Sequence, residues 1–199
     1  MRGLVQGIGV NDKIFPTRKD GKFLKEYGVW QDMLLRCTDK FQAKYPTYIG
    51  VTCSENFKNY SYFYEWCQNQ AGFGNKDEKG RSWQLDKDLL AKHNKVYSEN
   101  NCLFIPQRIN LLLTKRNTAR GDFPIGTRWN KRDKRYVAQC SFGANTVKYL
   151  GYFKSVQEAF TVYKVFKEQF IKEVANKYKD QLDPRGYNAL MEYEVNIND

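Results

Sequence analysis

Apolar residues recur at helical spacing in two stretches of the first half of the chain. In GVWQDMLLRCTDK, residues 28–40, Trp30, Met33, Leu34 and Cys37 fall at i, i+3, i+4, i+7, which predicts an amphipathic helix. In FKNYSYFYEWCQNQ, residues 57–70, Tyr60, Phe63, Tyr64 and Cys67 repeat that spacing and predict a second helix. Between them, after Pro46, YIGVTC (48–53) reads as a short strand or extended turn. The Gly-rich, charged AGFGNKDEKGRS (71–82) reads as a loop. A polar region follows, WQLDKDLLAKHNKVYSENNCLFIP (83–106): LDKDLL as a strand end, HNKVYSENN as a polar loop, CLFIP as a second short strand. Ile109, Leu112 and Leu113 of QRINLLLTKRN suit a short helix, and KRNTARGD (115–122) reads as a basic linker.

The pattern then changes period. In RYVAQCSF (135–142), Tyr136, Ala138, Cys140 and Phe142 alternate with Val137, Gln139 and Ser141, as in a strand with one buried face. GTRWNKR (126–132) precedes it, GAN (143–145) is a hairpin signal, and TVKYLGYF (146–153) gives a third strand. Ser155 and Glu158 form an S-x-x-E capping box. The helix behind it lines up Val156, Ala159, Phe160, Tyr163, Phe166, Phe170 and Val174. Three antiparallel strands backed by one helix are expected, with the second sheet face turned outward.

The bulk figures fit a folded chain: 199 residues, 41% hydrophobic and 16% aromatic, with 14 Tyr and 13 Phe. Net charge is +11 and the pI near 9.3, a standing attraction for polyanions, nucleic acid first. No segment is apolar enough for a membrane span, and the apolar run of MRGLVQGIGVNDK is short for a signal peptide. Cys37, Cys53, Cys67, Cys102 and Cys140 are odd in number, widely spaced and without a C-x-x-C pair. Buried free thiols in a reducing cytoplasm are expected, with a structural zinc assembled from distant cysteines as the alternative.

Charge concentrates in the second half. Between positions 115 and 154 stand ten Lys/Arg against two acids, Asp122 and Asp133. The outward residues expected on the sheet include Arg128, Asn130, Arg132, Gln139 and Tyr149, with Lys131 and Arg135 beside them. A twisted three-stranded sheet suits a major groove, where Arg reads guanine and Asn or Gln reads adenine. The lysines would meet phosphates. A solvated basic face with no ligand is the bland alternative.

Positions 124–164 resemble the ethylene-response-factor (apetala-type) DNA-binding domain. The carrying residues are the Gly126-x-Arg128 opening, RYVAQ, YLGYF, and the S-x-x-E-A helix start with Tyr163 beyond it. The resemblance implies that strand arginines and tryptophans read a major groove. Arg128 matches such an arginine position and Tyr149 a tryptophan one. Gln139 replaces a glutamate, and Val147 stands where the family often has an arginine, so the target sequence does not carry over.

Residues 28–114 are similar to the HNH-type endonuclease modules that phage and mobile-element proteins join to that domain. The similarity lies in the W-x-x-M-x-x-R-C run from Trp30, in YIGVTCSENFKNYSYFYEW, and in LDKD…NKVYS…CLFIP…IN. An HNH site needs a histidine as general base, an aspartate on a divalent cation, and a later Asn or His completing the metal shell. Here the usual Asp-His is Asp86-Lys87. Asp86 fits the metal place, with Asn101 and Asn110 as candidates for the later ligands, but Lys87 occupies the place of the base. A lysine near a cation stays protonated unless strongly desolvated. His93, six residues on, is either a substitute base or a loop residue or phosphate contact. Asp86 and Asp88 are either a carboxylate pair for Mg2+ or capping and salt-bridging groups.

The expectation is an α+β protein: an HNH-like (ββα-metal-like) module over 1–114 with its catalytic pair altered, a basic linker at 115–122, a three-stranded antiparallel sheet packed on one helix over 123–178, and an acidic tail at 179–199 that packs back on the body or shields the basic face. The expected function is duplex DNA binding by a phage or mobile-element protein. The alternatives are a metal-dependent endonuclease or nickase using Mg2+ or Mn2+, and a factor that binds a host or replication protein through exposed aromatics.

Overall fold

The computed structural model describes residues 3–115, 122–142 and 146–199. The expected basic linker lies almost wholly outside the described residues, and so does the GAN turn at 143–145. The chain is mixed α and β, with six α-helices and four small sheets among the described residues. It divides into two compact units, 1–105 with 181–186, and 106–180 with 187–199.

The first unit opens with a ribbon of β1 (Arg18–Lys19) and β2 (Lys22–Phe23). Asp20 and Gly21 turn it with φ of 51° and 75°, the two left-handed residues that suit a tight hairpin. Then come α1 (Lys25–Arg36), α2 (Asp39–Lys44), a 3-10 turn at Pro46–Tyr48, β3 (Thr52–Cys53), a second 3-10 turn at Asn56–Lys58, and α3 (Tyr60–Gln68). The helical periods hold: Trp30, Met33 and Leu34 of α1 and Tyr60, Phe63 and Cys67 of α3 are fully buried. Trp30 Nε1 donates to the Phe57 carbonyl at 2.7 Å, so burying the indole leaves no donor unmet. The Thr38 hydroxyl caps α2 and the Asn59 amide oxygen caps α3, each accepting a backbone N–H.

The polar region folds as β4 (Gln84–Asp86) antiparallel to β6 (Leu103–Ile105), with Asp86 opposite Leu103. The expected polar loop between them contains a strand, β5 (Val96–Tyr97), parallel to β3 through Thr52–Val96 and Cys53–Tyr97. Two residues are too few to show a period, and the pairing is non-local.

The second unit contains α4 (Gln107–Leu113), then β7 (Thr127–Asn130), β8 (Arg135–Ser141) and β9 (Val147–Phe153) in the order β7-β8-β9, antiparallel throughout, and the 22-residue α5 (Val156–Lys177). The capping box forms: Ser155 Oγ accepts from Glu158 N at 3.2 Å, and Glu158 Oε2 accepts from Ser155 N at 3.3 Å. Ala138 and Cys140 pack on Ala159, Phe160 and Tyr163 of α5, with Tyr136, Leu150 and Phe153 around them. Gly126 sits against this core at φ 78°, where a Cβ would come within 2.1 Å of the Tyr163 ring. Further along α5 the buried line runs through Lys167 and Ile171. Phe166 and Phe170, expected on that line, lie half-buried around Phe142 instead. Burial pushes the Lys167 pKa down, a cost that Cys140 beside it only partly offsets.

The tail carries a helix, α6 (Pro184–Met191), that its composition did not announce. Beyond it, Val195 joins the α5 core, its N–H donating to Glu168 Oε1 at 2.8 Å and its carbonyl accepting from Lys164 at 2.9 Å. Lys115 pairs with Asp199 at 2.5 Å. The acidic end therefore packs back on α5.

Candidate nucleic-acid interface and polar hairpin

The sheet face turned away from α5 is set by register. Antiparallel partners share a face, so Arg128, Val137 and Tyr152 lie in one row, and Gln139 and Tyr149 in the next. A register shift between Ala138 and Gln139 brings this about: one step on β8 spans two on β9, leaving Leu150 unpaired and packed into the core. Gly151, beside it, has φ 139°, open to glycine. The side chains knit together across strands. Arg128 Nε donates to Gln139 Oε1 at 3.1 Å, and its guanidinium lies 5.9 Å from the Tyr149 ring centroid. Tyr149 is 61% exposed and Tyr152 55%.

The sequence candidates divide into two groups here. Arg128, Gln139 and Tyr149 come together on the outer face, while Lys131, Arg132 and Arg135 are exposed at and beside the β7-β8 turn. Asn130 shapes that turn. Its Oδ1 accepts from Arg132 N and Asp133 N, and its Nδ2 donates to Asp133. Arg132 makes a two-toothed contact with Asp133 at 2.8 and 3.2 Å, holding the Asp133 pKa down. Tyr152 belongs to the same face and is missed by simple alternation, because the extra residue at Leu150 reverses the parity of β9. The paired glycine in YLGYF is the one sequence hint of that bulge.

The polar hairpin of the first unit is a closed hydrogen-bond network. Asp86 Oδ1 accepts the amides of Asp88 at 3.0 Å and Leu89 at 2.8 Å, which caps the turn after β4. Burial pushes the Asp86 pKa up, against the pull of the Leu89 amide. The Lys87 side chain is buried and donates to Asp88 Oδ1 at 2.5 Å and to the Asn94 carbonyl at 2.8 Å. Asn94 answers by donating to the Lys87 carbonyl and the Val96 carbonyl, both at 2.8 Å, while its Oδ1 accepts from Val96 N and from Asn101 Nδ2. His93 points its backbone the other way at φ 63° and is exposed. Asn110 lies on α4 in the second unit and accepts from Thr114 through its carbonyl. Asn94 thus organises the loop, and sequence reasoning passed over it. The signal was its type, since asparagine readily hydrogen-bonds neighbouring backbone and stabilises turns.

As a cation site this network fits poorly. Asp86 already serves two amides through one oxygen, and Lys87, the next residue, is tied up with Asp88 and the Asn94 carbonyl. Among the described residues no group of three or more His, Cys, Asp or Glu side chains is gathered to hold a metal ion. The cysteines are free thiols; burial raises those of Cys67 and Cys102, the latter to about 12, and a hydrogen bond with Cys53 raises Cys37. No helix among the described residues is long and apolar enough to cross a membrane. Comparison with known families, with curated proteins and with solved structures yields no match.

Proposed function

We propose that the protein binds duplex DNA through the outer face of the three-stranded sheet. The carrying observation is the Arg128–Gln139–Tyr149 cluster, held across three strands and flanked by exposed Lys131, Lys134 and Arg135. A guanidinium already fixed by a neighbouring amide and ring has little freedom left to lose on docking, which favours base reading over loose charge attraction. The surrounding cations supply phosphate contacts and salt dependence. The likeness of positions 124–164 to the ethylene-response-factor domain supports the same reading. Asn130 and Arg132 shape and decorate the turn, and Arg128 and Gln139 face the bases.

The first unit is assigned as an HNH-like frame, of the kind phage and mobile-element proteins carry, that has lost its base. The antiparallel β4-β6 hairpin with Asp86 at its end favours that frame. Lys87 is engaged by Asp88 and the Asn94 carbonyl, and no cleavage step is assigned to it. The test is a mobility-shift titration of a random-sequence duplex. Arg128→Ala should weaken binding by about 5- to 150-fold, as loss of a bidentate base contact worth roughly 1–3 kcal/mol implies. Binding unchanged by Arg128→Ala and by Tyr149→Ala refutes the assignment of this face.

A further inference from the structure

Tyr149 and Tyr152 are large, exposed and on one sheet face, 61% and 55% open to solvent. Their β8 partners, Gln139 and Val137, are two residues apart, so the two rings stand side by side along the sheet. The Arg128 guanidinium lies over the Tyr149 ring, 5.9 Å from its centroid. With Lys131, Lys134 and Arg135 also exposed and Asp133 engaged by Arg132, the surface complements a polyanion.

Seating this face in a major groove takes both rings out of water. The groove's base edges are hydrogen-bond donors and acceptors with one apolar exception, the C5-methyl of thymine. A ring set against donors and acceptors forfeits its apolar burial; set against a methyl it does not. We infer that Tyr149 and Tyr152 contact thymine methyl groups, making them specificity-determining residues for thymine-containing sites. The inference rests on the duplex reading of the face. Two residues along β8 span roughly 7 Å, close to two base-pair steps of about 3.4 Å. The preferred sites therefore carry thymines about two steps apart.

The test uses the full chain and one random-sequence duplex pool amplified either with thymidine or with deoxyuridine triphosphate, which differ only in that methyl. Wild type should bind the uracil pool about fourfold more weakly for one methyl lost and about fifteenfold for two. Tyr149→Ala and Tyr152→Ala should each narrow the gap, and the double variant should close it. Tyr152→Phe, which keeps the ring, should retain it. Thermal melts confirm that the variants fold. Equal binding of the two pools by wild type overturns the inference and leaves the duplex reading standing. A gap that survives in the double variant also overturns it, because another residue then reads the methyl. Binding of neither pool overturns both.

Discussion

Replacing Asn94 with alanine removes four hydrogen bonds at once. Two are donated, to the Lys87 and Val96 carbonyls at 2.8 Å; two are accepted, from Val96 N at 3.0 Å and Asn101 Nδ2 at 3.3 Å. Each is worth about 1 kcal/mol net. The two with Val96 lie at the surface, where water replaces much of what is lost. The expected loss is therefore about 2–3 kcal/mol, a fall in melting midpoint of roughly 4–12 °C for a chain this size. Trp30, Trp66 and Trp83 belong to the first unit and Trp129 to the second, so tryptophan fluorescence during urea unfolding reports mainly the unit that carries the loop. His93→Gly is the matching control. At φ 63° glycine relieves a left-handed strain, and the change should leave stability equal or raise it by under about 1 kcal/mol. Asn94→Ala within about 0.5 kcal/mol of wild type would refute the claim that this loop is held by its own amide network.

The other expectations are briefer. Asp86 has a raised pKa in the fold, so its neutral form is favoured there and its charge opposes folding above that pKa. Stability should gain as pH falls through the folded pKa of Asp86, and Asp86→Asn, which keeps an acceptor for the Asp88 and Leu89 amides, should be more stable than wild type at neutral pH and lack that gain, read by urea melts across the acid range. Lys167 has a lowered pKa for the same desolvation reason with opposite charge, so its cost is full at low pH and eases as pH rises through the folded pKa; Lys167→Met should raise the melting temperature, most at low pH. Gly126→Ala drives a methyl into Tyr163 at a left-handed φ and should destabilise the second unit by about 2–4 kcal/mol in a thermal melt.

The second unit was the more legible half of the sequence, for a physical reason. Its strands are long enough to show alternation, and Ser155 with Glu158 marks the start of α5 by local chemistry alone. The bulge at Leu150 was not visible, because one inserted residue leaves composition unchanged while reversing the facing of everything on one side of it; Tyr152 was lost with it. Lys167 entered the buried line because steps of four and three from Tyr163 lead to 167, 171 and 174, leaving Phe166 and Phe170 to one side of it. In the first unit α1 and α3 announced themselves through Trp30 and Tyr60 spacing. The parallel pairing of Val96 and Tyr97 with Thr52 and Cys53 has no local signature. Neither does β1-β2, whose Asp20-Gly21 turn is a hairpin signal without the apolar flanks that usually accompany it. The candidate site followed the same division: Arg128, Gln139 and Tyr149 converge because alternation placed them, whereas the roles of Lys87 and Asn94 depend on a reciprocal pair of hydrogen bonds that only the folded loop creates.

The most direct single measurement is a supercoiled-plasmid gel with Mg2+ or Mn2+, each reaction split and half treated with protease and EDTA before loading. A duplex-binding protein without cleavage should give a retarded band in the untreated lanes that disappears on treatment, leaving the plasmid supercoiled, and that is weakened in Arg128→Ala. Relaxed or linear plasmid that survives the treatment and is absent with Asp86→Ala would contradict that reading, establishing a nuclease despite Lys87; no retardation at all would remove the duplex-binding claim itself.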